Sequence, residues 1–167
     1  MSHPFHDLLA GYKAQEPAIL GALRRVLESG HYILGREVEA FEREFATLLR
    51  VPHVVGVASG TEALQLALLA LDVQPGDEVC IPALTAAPTA MAVLAVGATP
   101  VLVDVDLDTY VMDPASLAAA LSPRTAVVVP VHLYGQCADV DAIARVAAEA
   151  AAAGAAAGGA PGAARRP

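Results

Sequence analysis

Between residues 53 and 148 the chain alternates short apolar runs, rich in valine and isoleucine, with longer spans whose apolar residues recur at helical spacing. The runs predict strands over residues 53–57, 78–81, 99–103 and 125–133. The spans predict helices over 61–71, about 86–96, 114–121 and from 139 onward to 148, with Asp113 as an N-cap of the third. A strand followed by a helix followed by a strand has to cross the sheet to continue, so the strands are expected to run largely parallel. Two further helical spans precede this region. Residues 16–27 are apolar at near-helical spacing and end at Ser29-Gly30, and residues 38–49 place Phe41, Phe45 and Leu48 on one face.

Composition narrows the class. Hydrophobic residues make up 56% of the 167-residue chain and aromatics only 4%, so alanine, valine and leucine have to fill the core, as where helices pack on parallel strands. Nucleic acid is excluded as a partner by charge: 10 basic residues face 18 acidic ones, and Lys13 is the single lysine. Residues 79–103 carry no charge and are long enough to cross a bilayer, but Pro82, Pro88, Gly97 and Pro100 divide them into strand, helix and strand, so no membrane span is expected. The first residues lack the basic start and apolar run of a signal peptide, and Cys80 and Cys137 have no redox or metal spacing. A cytoplasmic protein is the default expectation.

In open sheets of this kind ligands bind beyond the carboxyl ends of the strands. The first such place is Ser59-Gly60-Thr61, a small-residue turn leading from a strand into a helix. Its free N–H groups at the positive end of the helix dipole, with Gly60 clearing the approach, form an anion site; equally, Ser59 and Glu62 are spaced as a capping box that needs no ligand. The remaining loops are 82–86, 104–110 and 132–136. Asp104, Asp106 and Asp108 are spaced like metal ligands, yet no calcium-loop glycine and glutamate follow, and turn and capping roles are expected instead. His132 and Tyr134 are candidates for ligand contact or for hydrogen-bonded structure. No Ser-His-Asp or Cys-His arrangement follows from spacing, and no G-x-G-x-x-G is present.

Residues 147–167 consist of Ala, Gly, Pro, Arg and one Glu, and cannot build a core. The expectation is a low-complexity, disordered tail over 149–167, helical at most in its first turns. These are residues whose codons can be written in G and C alone, so a frame slip in a GC-rich gene is a sharper reading of the same composition.

The motif order HYILGREVEAFEREF, VASGTEALQLAL, PGDEVCIPALTA, GATPVLVDVDLDTYVMDP and VPVHLYGQCADVDAI closely resembles the N-terminal part of the DegT/DnrJ/EryC1/StrS family. These are fold-type I enzymes that use pyridoxal phosphate, most of them sugar aminotransferases, and the likeness runs from about residue 7 to 145. The resemblance implies an α/β fold, an incomplete large domain with a mostly parallel sheet flanked by helices. Residues 1–50 correspond to the family's N-terminal helical segment and 51–148 to part of the cofactor-binding domain. It also implies that Ser59, Gly60 and Thr61 hold the cofactor phosphate and that Ala86 stands where many members stack an aromatic residue on the cofactor ring. The resemblance further implies a homodimer and a nucleotide-sugar substrate. The family's Schiff-base lysine and the aspartate that meets the pyridine nitrogen have no counterpart here, since Lys13 lies in no matching context. The chain is therefore expected to be a truncated aminotransferase without catalytic residues of its own, inactive alone. A non-catalytic binding or regulatory remnant, and a dehydratase using pyridoxamine phosphate, are the alternatives.

Overall fold

The computed structural model describes residues 7–156, and the contacts divide the chain into two units, Met1–Gly56 and Val57–Pro167.

The first unit consists of helices α1 (Leu8–Ser29) and α2 (Arg36–Leu49). Helix α1 starts well before the expected residue 16. The Asp7 carboxylate caps it by accepting from the Ala10 N–H at 3.0 Å, and Pro17, which suits a helix start, lies inside it. Its end is as expected: Gly30 adopts the left-handed conformation (φ 66°) and closes the last turn on the Leu27 carbonyl. Gly35, the residue before α2, has to be glycine for a steric reason, because a Cβ there would lie 2.9 Å from the His31 carbonyl oxygen. Within α2, Glu37 and Glu39 sit favourably in the first turn, and the rings of Phe41 and Phe45 stack 5.4 Å apart. The Arg25 guanidinium forks onto Glu37 at 2.7 and 3.1 Å, tying the two helices; both partners are exposed, so the tie adds little stability.

The second unit is a three-layer sandwich. Three parallel strands, β1 (Glu78–Pro82), β2 (Thr99–Val103) and β3 (Thr125–Val128), are ordered β2-β1-β3. Helices α3 (Gly60–Ala70) and α4 (Ala87–Ala95) pack on one face and α5 (Pro114–Ala120) and α6 (Val140–Ala156) on the other. The alternation of side chains along β1 explains the two cores. Val79 and Ile81 meet Leu68 and Val93 on one side, whereas Cys80 meets Val103, Leu117 and Ile143 on the other. All five residues of β1 are buried, as the central strand of a parallel sheet requires.

Two strand expectations need correction. Residues 53–57 join no strand. Val55 is 75% exposed, and the Gly56 N–H donates to the Glu42 carboxylate instead of to a neighbouring strand. An apolar β-branched run becomes a strand only when another strand takes its hydrogen bonds, and none does so among the described residues. Strand β3 stops at Val128 rather than reaching 133. Its last contact with β1 is the Val129 N–H on the Cys80 carbonyl, and Pro130 follows with no N–H to donate. Helix α6 is longer than expected and runs through residues 149–156, part of the expected tail, because alanine is the best helix former. The rest of that tail lies outside the described residues.

A clasp joins the amino ends of β1 and β3. The buried Glu78 carboxylate accepts from the Ser122 hydroxyl and from the Arg124 guanidinium, whose Nε lies 2.9 Å away. Beside it the Glu78 N–H donates to the Arg124 carbonyl, and a bulge shifts the register between Glu78 and Val79. These contacts, the Ser122 hydroxyl first and Arg124 second, hold the carboxyl below its ordinary range. Among the described residues no helix is long and apolar enough to cross a membrane, and the uncharged stretch folds as β1, α4 and β2.

Candidate functional site: the carboxyl end of the sheet

Helix α3 leads through a short connection into the amino end of β1, so it runs against the strand and its own start lies at the carboxyl side of the sheet. There Ser59 is the N-cap in extended conformation, and its Oγ accepts from the Glu62 N–H at 3.2 Å. The Glu62 carboxylate turns back to accept from the Ala58 N–H at 2.7 Å. The capping box is thus real, but it reaches one residue beyond the usual partner and satisfies Ala58 and Glu62 only. The N–H groups of Gly60 and Thr61, and the Thr61 hydroxyl, have no partner among the described residues. A Cβ on Gly60 would meet nothing within 4 Å, so the approach to these donors is open. The two readings of the turn are therefore compatible: the cap shapes it and leaves donors over for an anion.

Ala86, the other sequence-predicted site residue, is the N-cap of α4. It follows β1 on the same carboxyl side, is exposed, and has only a methyl group to offer a ring. Thr85 and the buried Thr89 share a 2.9 Å hydroxyl contact across this helix start, which fixes the loop without using Ala86.

The loop after β2 is built around turn residues. Asp106 accepts from the Asp108 and Thr109 N–H groups and from the Thr109 hydroxyl, and Thr109 is the main cause of its lowered pKa. Asp113 caps α5 by accepting from the Ala115 and Ser116 N–H groups, while Asp104 contributes its backbone carbonyl to the Asp113 N–H. Among the described residues no three His, Cys, Asp or Glu side chains are grouped to hold a metal.

After β3, His132 Nδ1 accepts from the Ala138 N–H at 2.9 Å. In the neutral ring the proton is therefore on Nε2, which is left as a donor. Between these residues Tyr134 and Gly135 both have positive φ (53° and 84°), and the Gln136 N–H returns to the Leu133 carbonyl, forming a tight reversed turn that carries Tyr134 outward. His132 is thus part of the structure, whereas Tyr134 is 87% exposed. The sequence offers no signal for the His132–Ala138 link or for the reach of Glu62 to Ala58, because both are set by loop shape. Burial pushes the Cys80 thiol up, and Cys80 sits in the core away from this end. Lys13, the single lysine of the chain, lies on α1 in the first unit.

Comparison with known proteins places these features in context. Residues 13–153 match the model of the DegT/DnrJ/EryC1/StrS aminotransferase family. The chain is 48% identical over 144 residues to dTDP-3-amino-3,4,6-trideoxy-alpha-D-glucose transaminase of Streptomyces venezuelae, which covers 86% of this chain and 38% of that protein. It is 49% identical, over 86% of its length and 39% of the relative's, to a UDP-N-acetyl-3-dehydro-alpha-D-glucosamine 3-aminotransferase of Acidithiobacillus ferrooxidans. A crystal structure of S. venezuelae DesV in complex with a ketimine intermediate superposes with a TM-score of 0.85 at 47% identity, over 88% of this chain and 40% of that one. The chain thus spans about 40% of the length of the proteins it matches.

Proposed function

This chain belongs to the DegT/DnrJ/EryC1/StrS aminotransferase family, and from that membership we propose that it is the N-terminal portion of a pyridoxal-phosphate-dependent sugar aminotransferase. The whole enzyme moves an amino group from glutamate or glutamine onto a keto sugar carried by a nucleotide, works as a homodimer, and belongs to the cytoplasm. The observation that carries the reading is the start of α3, where the Gly60 and Thr61 N–H groups and the Thr61 hydroxyl are left over by the capping box and open to an anion.

These donors fit the phosphate of the cofactor, with Ser59 shaping the turn and Ala86 bordering the ring. When bound, pyridoxal phosphate supplies the electron sink for amino transfer. This chain's own contribution is to bind and orient. The amine that would anchor the cofactor and shuttle the proton is missing: Lys13 is the single lysine, and it stands on α1 without any active-site motif around it. We therefore infer that these residues alone are inactive. The same gap supports a second reading, a non-catalytic remnant that keeps the anion site. A dehydratase using pyridoxamine phosphate differs in residues this chain does not contain.

Titration of the 167-residue chain with pyridoxal phosphate and with unphosphorylated pyridoxal, followed by calorimetry, tests the site. Pyridoxal phosphate is expected to bind, pyridoxal to bind at least tenfold more weakly, and Gly60→Asp to abolish the difference by placing a carboxylate at the donors. Equal binding of the two, or a stoichiometric borohydride-reduced lysine adduct, would sink the reading.

A further inference from the structure

Residues 132–138 form a loop that is closed twice, and the two closures differ in chemistry. The inner one is backbone alone: the Gln136 N–H donates to the Leu133 carbonyl at 2.8 Å across Tyr134 and Gly135. The outer one depends on a side chain. The Ala138 N–H donates to His132 Nδ1 at 2.9 Å, and Ala138 is buried. This closure ties the loop to the start of α6, because the next residue, Asp139, accepts from the Ala142 N–H with its side chain and from the Ile143 N–H with its carbonyl. Nδ1 accepts only while it carries no proton. A second proton on the ring turns that nitrogen into a donor, sets two N–H groups against each other and leaves the Ala138 N–H without an acceptor.

We propose that His132 is a proton-operated latch: the neutral ring holds the 132–138 loop closed on the start of α6, and the doubly protonated ring lets it open. Histidine is the side chain whose charge changes between pH 5 and 8, and closure belongs to the neutral form, so it is complete at the upper end of that interval and lost towards the lower. The Glu78 clasp, held below the ordinary carboxylate range, keeps its charge across the same interval. The titratable and charged groups on the elements that meet here are few. The loop itself contributes Tyr134 and Cys137, and α6 with its cap contributes Asp139, Asp141 and, further along, Arg145. Asp113 caps α5, and Glu62 is engaged with the Ala58 N–H at the start of α3. Residues 82–86, after β1, carry no charge, and Asp104, Asp106 and Asp108 follow β2, with β1 between. Among the described residues none of these groups is bonded to the ring, whose one partner is the Ala138 N–H. The loop that opens lies at the carboxyl end of the sheet and presents Tyr134, so the latch makes the shape of that end depend on acidity.

Hydrogen exchange of the 167-residue chain, followed by NMR between pH 8 and 5 and corrected for the intrinsic pH dependence of exchange, tests it. His132→Asn is the comparison, since asparagine puts Oδ1 where Nδ1 stands and accepts without titrating. The Ala138 amide of the unaltered chain is expected to lose protection at least tenfold between pH 8 and 5, while Ile81 in the centre of the sheet loses none. In His132→Asn, protection at Ala138 is expected to stay level. A second measurement needs no variant: nitrogen-15 shifts of the ring should show Nδ1 unprotonated at pH 8 and protonated over the interval in which Ala138 loses protection. Level protection at Ala138 in the unaltered chain, a loss matched at Ile81 or in His132→Asn, or an Nδ1 that carries the proton at pH 8 overturns the latch.

Discussion

Ser59 and Glu78 show how far single side chains organise this molecule. Ser59 is expected to contribute a cap of ordinary size, so Ser59→Ala should lower stability by about 1 kcal/mol in urea unfolding. It should also loosen the turn that holds the Gly60 and Thr61 donors, while Thr61→Ser leaves both unchanged. Glu78 makes stability depend on pH. Its carboxyl is held below the ordinary range by Ser122 and Arg124, so its contribution is complete above the unfolded carboxylate pKa of about 4.3 and is lost as pH falls through the lower folded value. Unfolding of Glu78→Gln should therefore show a shallower loss of stability with acid than the unaltered chain, with the two curves converging at the lowest pH. Equal slopes across that window would mean the clasp adds nothing.

Elements differ in whether their identity lies in their own residues or in their neighbours. Helices α2, α4 and α5 and strands β1 and β2 were legible from periodicity and punctuation, because Pro114 after a capping Asp113 and Gly97 before Thr99 set local geometry. The capping turn of Ser59 and Glu62 was legible for the same reason, as the two caps are three residues apart. Residues 53–57 were not: their pattern is that of a strand, and a strand needs a partner that no local pattern specifies. The start of α1 was missed because Pro17 looks like a beginning, and the His132–Ala138 link because it joins residues across a loop. Hydrogen exchange separates the two kinds of element. Amides of residues 54, 55 and 57 are expected to exchange at least a hundredfold faster than those of Val79, Cys80 and Ile81, which lie inside a paired and buried strand. Comparable protection would mean that 53–57 is paired after all.

At the scale of the whole molecule, the second unit is a sandwich whose middle is complete and whose margins are open. β1 is paired on both sides, while among the described residues β2 and β3 each have one free edge, and Leu102 on β2 is 65% exposed. Open parallel edges invite further pairing, which agrees with a chain that spans about 40% of its relatives. The turn at the start of α3, by contrast, is built from residues 58–62 alone and needs no neighbour for its shape.

The position of β1 also sets an order in time. Its neighbour β2 follows it soon in the chain, but β3 and the Ser122 and Arg124 side chains that receive Glu78 come later. Once β2 has left the exit tunnel and before residues 122–128 have followed it, the β1–β2 pair can exist with Glu78 unaccompanied at its end. Until residue 128 has left the exit tunnel, the flank of β1 that β3 will take is bare, and the Glu78 clasp marks the moment at which that flank is covered.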